Sequence, residues 1–338
     1  MRDKMMSRRS LVAGATAGAA AIIVRPARAA DYKFVQYHNQ TVGTTLHRNL
    51  TAMWEQVFLE TNGRVEVTIF PENNGVKGGD PDVLKMLLAG EVQFFTLMGG
   101  IIGTVVPAAE AQQLPFAFKS APEAHKAIDG PFGRYIGEEM AAKGMYLFPT
   151  GGFDNGMRQV TTIKQPTRHP DDLAGVKIRV PAGDMIFDTF AAFGAQPISI
   201  PANGILDGLK SGKVDAQENP LAVLEGFRLY EVIKYVSMTN HMWSGFNLMS
   251  HLPTWRGLSA DIRDVIERNA AIYVRRQRQE QGELNASLRG DFEKRGLVFN
   301  EVEQAEFRAR LPRVYATWKG KLGSRCWELL EAEVGKLG

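Results

Sequence analysis

The sequence predicts an α/β protein built as two similar lobes, and two observations carry that expectation. One is a helix–glycine–strand unit that occurs twice in the 338 residues; the other is a helical pattern long enough to reach across two lobes. The unit runs from Val83 to Phe94 and again from Ile205 to Ala216, and the two copies align without gaps. Each has an aliphatic pair, a Leu three positions after the second aliphatic, a small residue, Gly, a charge, Val and a polar residue. Physically, each reads as a short helix stopped by a left-handed glycine (Gly90, Gly212) that feeds directly into a strand. A β-prone run precedes each helix, Val65 to Phe70 in one case and Pro197 to Ile200 in the other. Strand–helix–strand in each half implies parallel strands. The competing reading is coincidence, because such junctions recur throughout α/β proteins. Two lobes would leave a cleft between them, and ligand sites favour domain interfaces and the carboxyl ends of parallel strands.

The remaining elements follow in chain order. Tyr32 to Tyr37 is a short β-prone run. Leu46, Leu50, Met53, Trp54, Val57 and Phe58 have helical spacing, and Asn62-Gly63 ends that helix before Val65 to Ile69 alternates with strand period. Met145 to Phe148 is strand-like, and after it and Gly151-Gly152 the segment Asp154 to Gln159 reads as a flexible, turn-rich region suited to a hinge. Ser259 is a plausible N-cap with Asp261 in the first turn. Ile262, Val265, Ile266, Asn269, Tyr273, Leu284, Leu288 and Phe292 then continue helical spacing for about thirty residues, longer than a usual globular helix. Phe307, Leu311, Val314 and Trp318 predict one more helix.

The N-terminus reads as a targeting segment. Ser7-Arg8-Arg9-Ser10-Leu11-Val12 holds a twin-arginine pair, Leu11 to Val24 is uncharged and rich in Ala and Gly, and Ala27-Arg28-Ala29 is a small-x-small cleavage signal. We expect a cleaved twin-arginine signal peptide over residues 1–29, the alternative being an ordinary Sec signal with a chance arginine pair. Removing it leaves 34 basic against 36 acidic residues, a formal net of −2, so the basic pI of the whole chain belongs to the signal. A nucleic-acid footprint is therefore not expected, and Arg275-Arg276-Gln277-Arg278 reads as a solvated helix face. Cys326 is the only cysteine, which excludes an internal disulfide and a cysteine-based metal site.

Neither a catalytic nor a cofactor motif is found. HExxH, GxSxG, GxxxxGK[ST] and CxxC are missing, Gly99-Gly100-Ile101-Ile102-Gly103 is not GxGxxG, and the six histidines are scattered. No cofactor and no metal are expected. Anion-binding signals are stronger. In Gly175-Val176-Lys177-Ile178-Arg179-Val180-Pro181, Ile178 and Val180 share one strand face and Arg179 takes the other, just before a strand-ending proline. A buried guanidinium must pair, and its fork fits a carboxylate. An internal partner such as Asp184 or Asp188 serves equally well on this segment alone. Arg158 follows the hinge-like stretch, and Asn219 ends the strand Val214 to Ala216 and its extension Gln217-Glu218-Asn219-Pro220, with an amide that can donate to an anion and accept from a hydroxyl.

Three segments together resemble the periplasmic solute-binding subunits of TRAP transporters, the DctP-type family, over essentially the whole mature chain. They are Gly156-Met157-Arg158, Pro170 to Pro181, and Gly212 to Pro220, supported by Leu114-Pro115-Phe116-Ala117-Phe118 and Tyr230 to Tyr235. The resemblance implies a two-lobed periplasmic binding protein fold with crossing hinge strands and a long helix spanning both lobes. It implies a first lobe of residues 30–155 plus about 245–284 and a second of 156–244 plus about 285–338. It also implies a non-enzymatic protein in the periplasm, expected to be a monomer, that hands a small organic acid to DctQ-like and DctM-like membrane subunits. In the family's pattern Arg179 grips the ligand carboxylate, Arg158 adds a second contact and Asn219 orients the ligand. Asp215-Ala216 departs from the family's usual Asp-Gly. Further lining candidates are His38, Asn39, Phe153, Asp154, Trp243 and Phe246, with loops His38 to Thr44 and Met98 to Gly100 closing over the ligand. Asn39, Asp154 and Asn203 suit a hydroxylated acid, and the aromatic residues suit a ring-bearing one. The rival readings are a periplasmic enzyme exported by the twin-arginine route and the binding protein of an ATP-driven transporter.

Overall fold

The structure, a computed structural model, describes residues 30–337; the export segment read over residues 1–29 lies outside them. Among the described residues, eleven strands form two sheets. They are β1 (Tyr32–His38), β2 (Val65–Phe70), β3 (Phe94–Met98), β4 (Met145–Met157), β5 (Gln159–Thr162), β6 (Lys177–Val180), β7 (Gln196–Ser199), β8 (Ala216–Asn219), β9 (Tyr235–Met238), β10 (Trp243–His251) and β11 (Val298–Glu301). The first sheet has the order β2-β1-β3-β10-β4 and the second β11-β9-β5-β8-β6-β7.

The repeated unit is real and larger than its sequence trace. In the first lobe β1 pairs in parallel with β2 and β3; in the second, β6 pairs in parallel with β7 and β8. Both lobes therefore place their first parallel strand between the second and third. The two echoed segments are the helices Asp80–Leu88 and Ile205–Lys210 with the turns into β3 and β8. Gly90 and Gly212 both sit in the left-handed region, at φ +79° and +71°, as a helix-stopping glycine requires. Ala216 is accommodated as a fully buried strand residue, paired with Thr162 on one side and Ile178 on the other.

The lobes are joined by an exchange of strands. β4 ends at Met157 in the first sheet and β5 starts at Gln159 in the second, so Arg158 stands at the crossing. The return path leaves β9 at Met238 and enters β10 at Trp243. The two crossings hold each other: the Arg158 N–H donates to the Met242 carbonyl at 2.8 Å and the His241 N–H to the Arg158 carbonyl at 3.3 Å. The stretch expected to be turn-rich is instead continuous strand. Gly151 to Met157 belongs to β4, which absorbs its glycines as irregularities in the pairing with β10.

The long helix is Ala260–Lys294, 35 residues, roughly 50 Å from end to end. Ile262, Ile266, Ala270 and Val274 belong to the larger apolar core, whereas Leu288 and Phe292 belong to the smaller core that includes Val236 of β9. One element thus enters both cores. The solvated-face reading of Arg275 to Arg278 is corrected for half of it. Gln277 is fully buried, bonding both the Asp154 backbone and Thr45, and Arg278 makes a bidentate pair with Asp129.

The C-terminal part also departs from expectation. Pro312 divides the stripe Phe307 to Trp318 into two helices, Gln304–Arg308 and Pro312–Leu322, followed by Ser324–Val334. The family pattern places residues from about 285 to 338 in the second lobe, but the last helix packs on Ala121–Asp129 and Pro131–Ala141 of the first. The Tyr315 hydroxyl donates to the Pro115 carbonyl at 2.8 Å, while Trp318 Nε1 donates to Asp188 of the second lobe at 2.9 Å. An apolar stripe says that a helix is buried, not which surface it meets.

Candidate functional site

Both parallel triplets aim their carboxyl ends at the space between the lobes, the place where open α/β sheets bind ligands. From the first lobe come Asn39 after β1 and Gly99 after β3; from the second come Arg179 near the end of β6 and Asn219 at the end of β8. The lobes touch around this space. The Thr41 hydroxyl reaches the Gly226 carbonyl at 3.4 Å, and the Glu110 carboxylate accepts from the Met185 N–H at 2.8 Å. A Cβ at Gly183 would meet the Gly100 carbonyl oxygen at 3.0 Å, so the backbones approach closely there. Along the hinge side, Gln40, Thr44, Asp154, Ala222, Phe246 and Gln281 help to line an interlobe cavity of about 320 Å³.

Arg179 is buried, and Nε donates to the Ile200 carbonyl at 2.8 Å. Its two terminal nitrogens meet no hydrogen-bond acceptor among the described residues. The internal partners weighed in the sequence do not engage it: Asp188 is bonded to Trp318 and paired with Lys321. Burial, with the charge of Arg158 adding to it and Glu218 and Asp80 opposing, pushes the Arg179 pKa down to about 9. A guanidinium in that state is a receptor for an anion.

Arg158 is arranged differently. Nε donates to Glu218 Oε2 at 2.5 Å, while Nη2 reaches Glu218 Oε1 at 2.6 Å and Asn219 Oδ1 at 3.0 Å. Nη1 donates to the Ser244 hydroxyl at 3.1 Å. Its charge is thus matched within the protein. Burial opposes the charge of Glu218, but Arg158 and His241 outweigh it and hold that carboxyl below its ordinary range. Asn219 is bonded on both sides, accepting from Arg158 and donating from Nδ2 to Gln217 Oε1 at 2.5 Å. One amide hydrogen of Asn219 remains uncommitted.

The four lower-ranked candidates divide. His38 is fully buried; Nε2 bonds His47 Nδ1 at 2.9 Å and Nδ1 accepts the Gln40 N–H at 3.2 Å. Burial, reinforced by His47, pushes its pKa down to about 3, so it stays neutral and shapes the loop after β1. Asn39 stands at the cleft, with Nδ2 donating to Asp80 Oδ2 at 2.8 Å and Oδ1 accepting from Gln40 at 2.8 Å. Asp154 and Trp243 are joined to each other, Trp243 Nε1 donating to Asp154 Oδ1 at 2.8 Å. The Trp243 ring packs edge-on against Phe118 and His125 as hinge core.

Sequence reasoning missed Asp80. It opens the helix Asp80–Leu88, is buried, and takes amide hydrogens on both oxygens, from Asn39 and from Asn73 (2.6 Å). Burial raises its pKa, against the two amides and the charge of Arg179. The cleft therefore sets a buried guanidinium of one lobe against a buried carboxyl of the other. Glu218 was quoted in the sequence but not recognised as the partner of Arg158. An acidic residue in a first helical turn is too common to have singled out Asp80, and the only local hint was the neighbouring Asn73-Asn74 pair, a residue type that tolerates left-handed backbone.

Fold and cleft together define a two-lobed solute-binding protein. The chain belongs to the DctP family, described as bacterial extracellular solute-binding protein, family 7, whose model matches residues 37–321. That family consists of binding proteins, which removes the enzyme reading. A solute-binding protein of Roseobacter denitrificans is 31% identical over 301 residues, covering 86% of this chain and 90% of the relative. Among solved structures, a TRAP periplasmic solute-binding protein of Roseobacter denitrificans with bound β-D-glucuronate superposes with a TM-score of 0.85 at 25% identity, covering 90% of this chain and 99% of that one. Another from the same organism, with bound L-galactonate, gives 0.82 at 25% identity with the same coverage.

Proposed function

We propose that this protein is the periplasmic binding subunit of a TRAP transporter for a sugar acid, a hexuronate or hexonate. The observation that carries the reading is the Arg179 fork, buried and open at the carboxyl end of β6. A ligand carboxylate there would complete two parallel charge-assisted hydrogen bonds in a site from which water is largely excluded. Asn219 offers its remaining amide hydrogen beside it. Arg158 acts through Asn219, whose oxygen it holds, rather than as the second carboxylate receptor expected from the family pattern. The bound glucuronate and galactonate of the two structural relatives favour a hydroxylated acid over an aromatic one.

Closure follows from contacts that each lobe makes only when the other is near, Glu110 with the Met185 N–H and Thr41 with the Gly226 carbonyl. A ligand held by Arg179 on one lobe and by Asn39 and Asp80 on the other favours the closed state through its differential affinity. The closed protein would then deliver the acid to DctQ-like and DctM-like membrane subunits. Thermal-shift titration with D-glucuronate, L-galactonate, succinate and benzoate tests the substrate class. A rise in Tm with a sugar acid is expected; a rise with benzoate or succinate alone would replace the reading.

A further inference from the structure

The segment after β2 has a feature that acid capture alone does not explain. Glu72, Asn73 and Asn74 all occupy the left-handed region, at φ +50°, +53° and +50°. Three consecutive non-glycine residues in that conformation are intrinsically unfavourable, since each brings Cβ too close to the backbone. The turn is fixed by Glu72 N–H donating to the Gln40 carbonyl at 3.1 Å, which ties it to the loop after β1. Its product is the placement of one side chain. Asn73 is 4% exposed, and Nδ2 donates to Asp80 Oδ1 at 2.6 Å. Because a carboxylate oxygen only accepts there, the amide orientation is settled, and Asn73 Oδ1 faces away from Asp80. That oxygen is buried and has no hydrogen-bond partner among the described residues. A buried acceptor left open in this way is costly unless something donates to it.

Resting on the sugar-acid reading above, we propose that Asn73 and Asp80 form the specificity wall of the site and read a hydroxyl at the end of the ligand remote from its carboxylate. The remote O–H donates to the open Asn73 oxygen, and Asp80, whose two oxygens already accept from Asn39 and Asn73, accepts a further hydroxyl. The same wall rejects a second carboxylate. Such a group has no hydrogen to give Asn73 and would lie against the Asp80 carboxyl, a like-charge contact in a buried place. The ligand class is thus narrowed to hydroxylated acids with a single carboxylate. Arg179 determines whether an acid binds; Asn73 and Asp80 determine which one.

L-Galactonate and galactarate form a matched pair, differing only in a terminal hydroxymethyl against a carboxylate. Calorimetric titration of the purified protein with both, and with D-glucuronate, is expected to show a preference for the monoacids of roughly 100-fold or more over galactarate. Asp80→Asn should narrow that ratio at least ~10-fold, because the like charge is gone while an acceptor remains. Asn73→Gly suits the left-handed turn better than asparagine does. It should still fold, with Tm lowered by the loss of the bond to Asp80, and lose about 5- to 30-fold in monoacid affinity. Equal binding of galactarate, or a ratio that Asp80→Asn leaves unchanged, overturns the specificity wall while leaving Arg179-dependent capture intact. If neither monoacid nor diacid binds and Arg179→Met changes nothing, the sugar-acid reading fails first and this proposal falls with it.

Discussion

Replacing Arg179 by Met separates ligand capture from folding because the two should move in opposite directions. The guanidinium is buried and, among the described residues, has a single hydrogen-bond acceptor, the Ile200 carbonyl. Its pKa falls from the ordinary arginine range to about 9, with burial as the largest cause. A fall of that size corresponds to a penalty on the charged form of the order of 4–5 kcal/mol, fully present below about pH 9, where the side chain is charged in both folded and unfolded chains. Met occupies a similar volume without the charge, so the ligand-free variant should be at least as stable as the parent, as when buried ions give way to apolar residues. A bound carboxylate supplies the missing partner. Removing the receptor should weaken binding by about 2–5 kcal/mol, which is roughly 30- to 5,000-fold in Kd. Calorimetry with D-glucuronate and a melting curve without ligand measure the two effects. Unchanged affinity would refute the assignment of Arg179 as the carboxylate receptor. A large drop in ligand-free Tm would refute the argument that its burial is unrelieved until ligand arrives.

Other perturbations test the surrounding framework. Glu218→Ala leaves Arg158 buried beside a vacated carboxylate, and should destabilise by about 3–5 kcal/mol in urea unfolding; a change below 1 kcal/mol (roughly that of a surface substitution) would mean that the pair is not what holds the crossing together. Burial raises the Glu110 carboxyl to about 7, so between roughly pH 4.5 and 7 the folded chain binds more protons than the unfolded one. Stability should therefore fall as pH rises through that window, by up to ~3 kcal/mol, and Glu110→Gln should flatten the profile of Tm against pH. Gly212→Ala meets no atom within 4 Å and should cost only the ~1 kcal/mol of left-handed backbone, whereas an added Cβ at Gly90 would also meet the His251 ring at 2.9 Å and should cost more by urea titration.

What was legible in the sequence was local. The glycine-stopped helices at Gly90 and Gly212 and the strand carrying Arg179 declare themselves within a dozen or so residues, and the long stripe from Ile262 to Phe292 repeats the same short helical period, because backbone conformation and side-chain period are decided locally. What escaped was partnership across distance. Arg158 and Glu218 are 60 residues apart, and nothing in either segment says that one neutralises the other. Asp154 looked available to a ligand because its indole partner, Trp243, lies 89 residues away on the other crossing. Asn73 and Asp80 are close in sequence, but their role depends on Arg179 arriving from the opposite lobe. The last helix buries Cys326, Trp327 and Leu330, a pattern equally suited to either lobe until the surface of Ala121–Asp129 and Pro131–Ala141 is seen.

The exchange of strands at the hinge also sets a timetable for making the molecule. β4 has only β10 as its neighbour in the first sheet, and β10 does not begin until Trp243. The bond from Asn247 to the Leu97 carbonyl closes a loop of 150 residues. During synthesis the first lobe must therefore wait, with β3 and β4 unpaired along one edge, until nearly three-quarters of the chain exists. Contacts of such long sequence separation form slowly, and exposed strand edges invite association with other chains. Neither half can be cut free as a self-sufficient lobe, and a ribosome stalled before Trp243 would display an incomplete sheet to whatever escorts the chain.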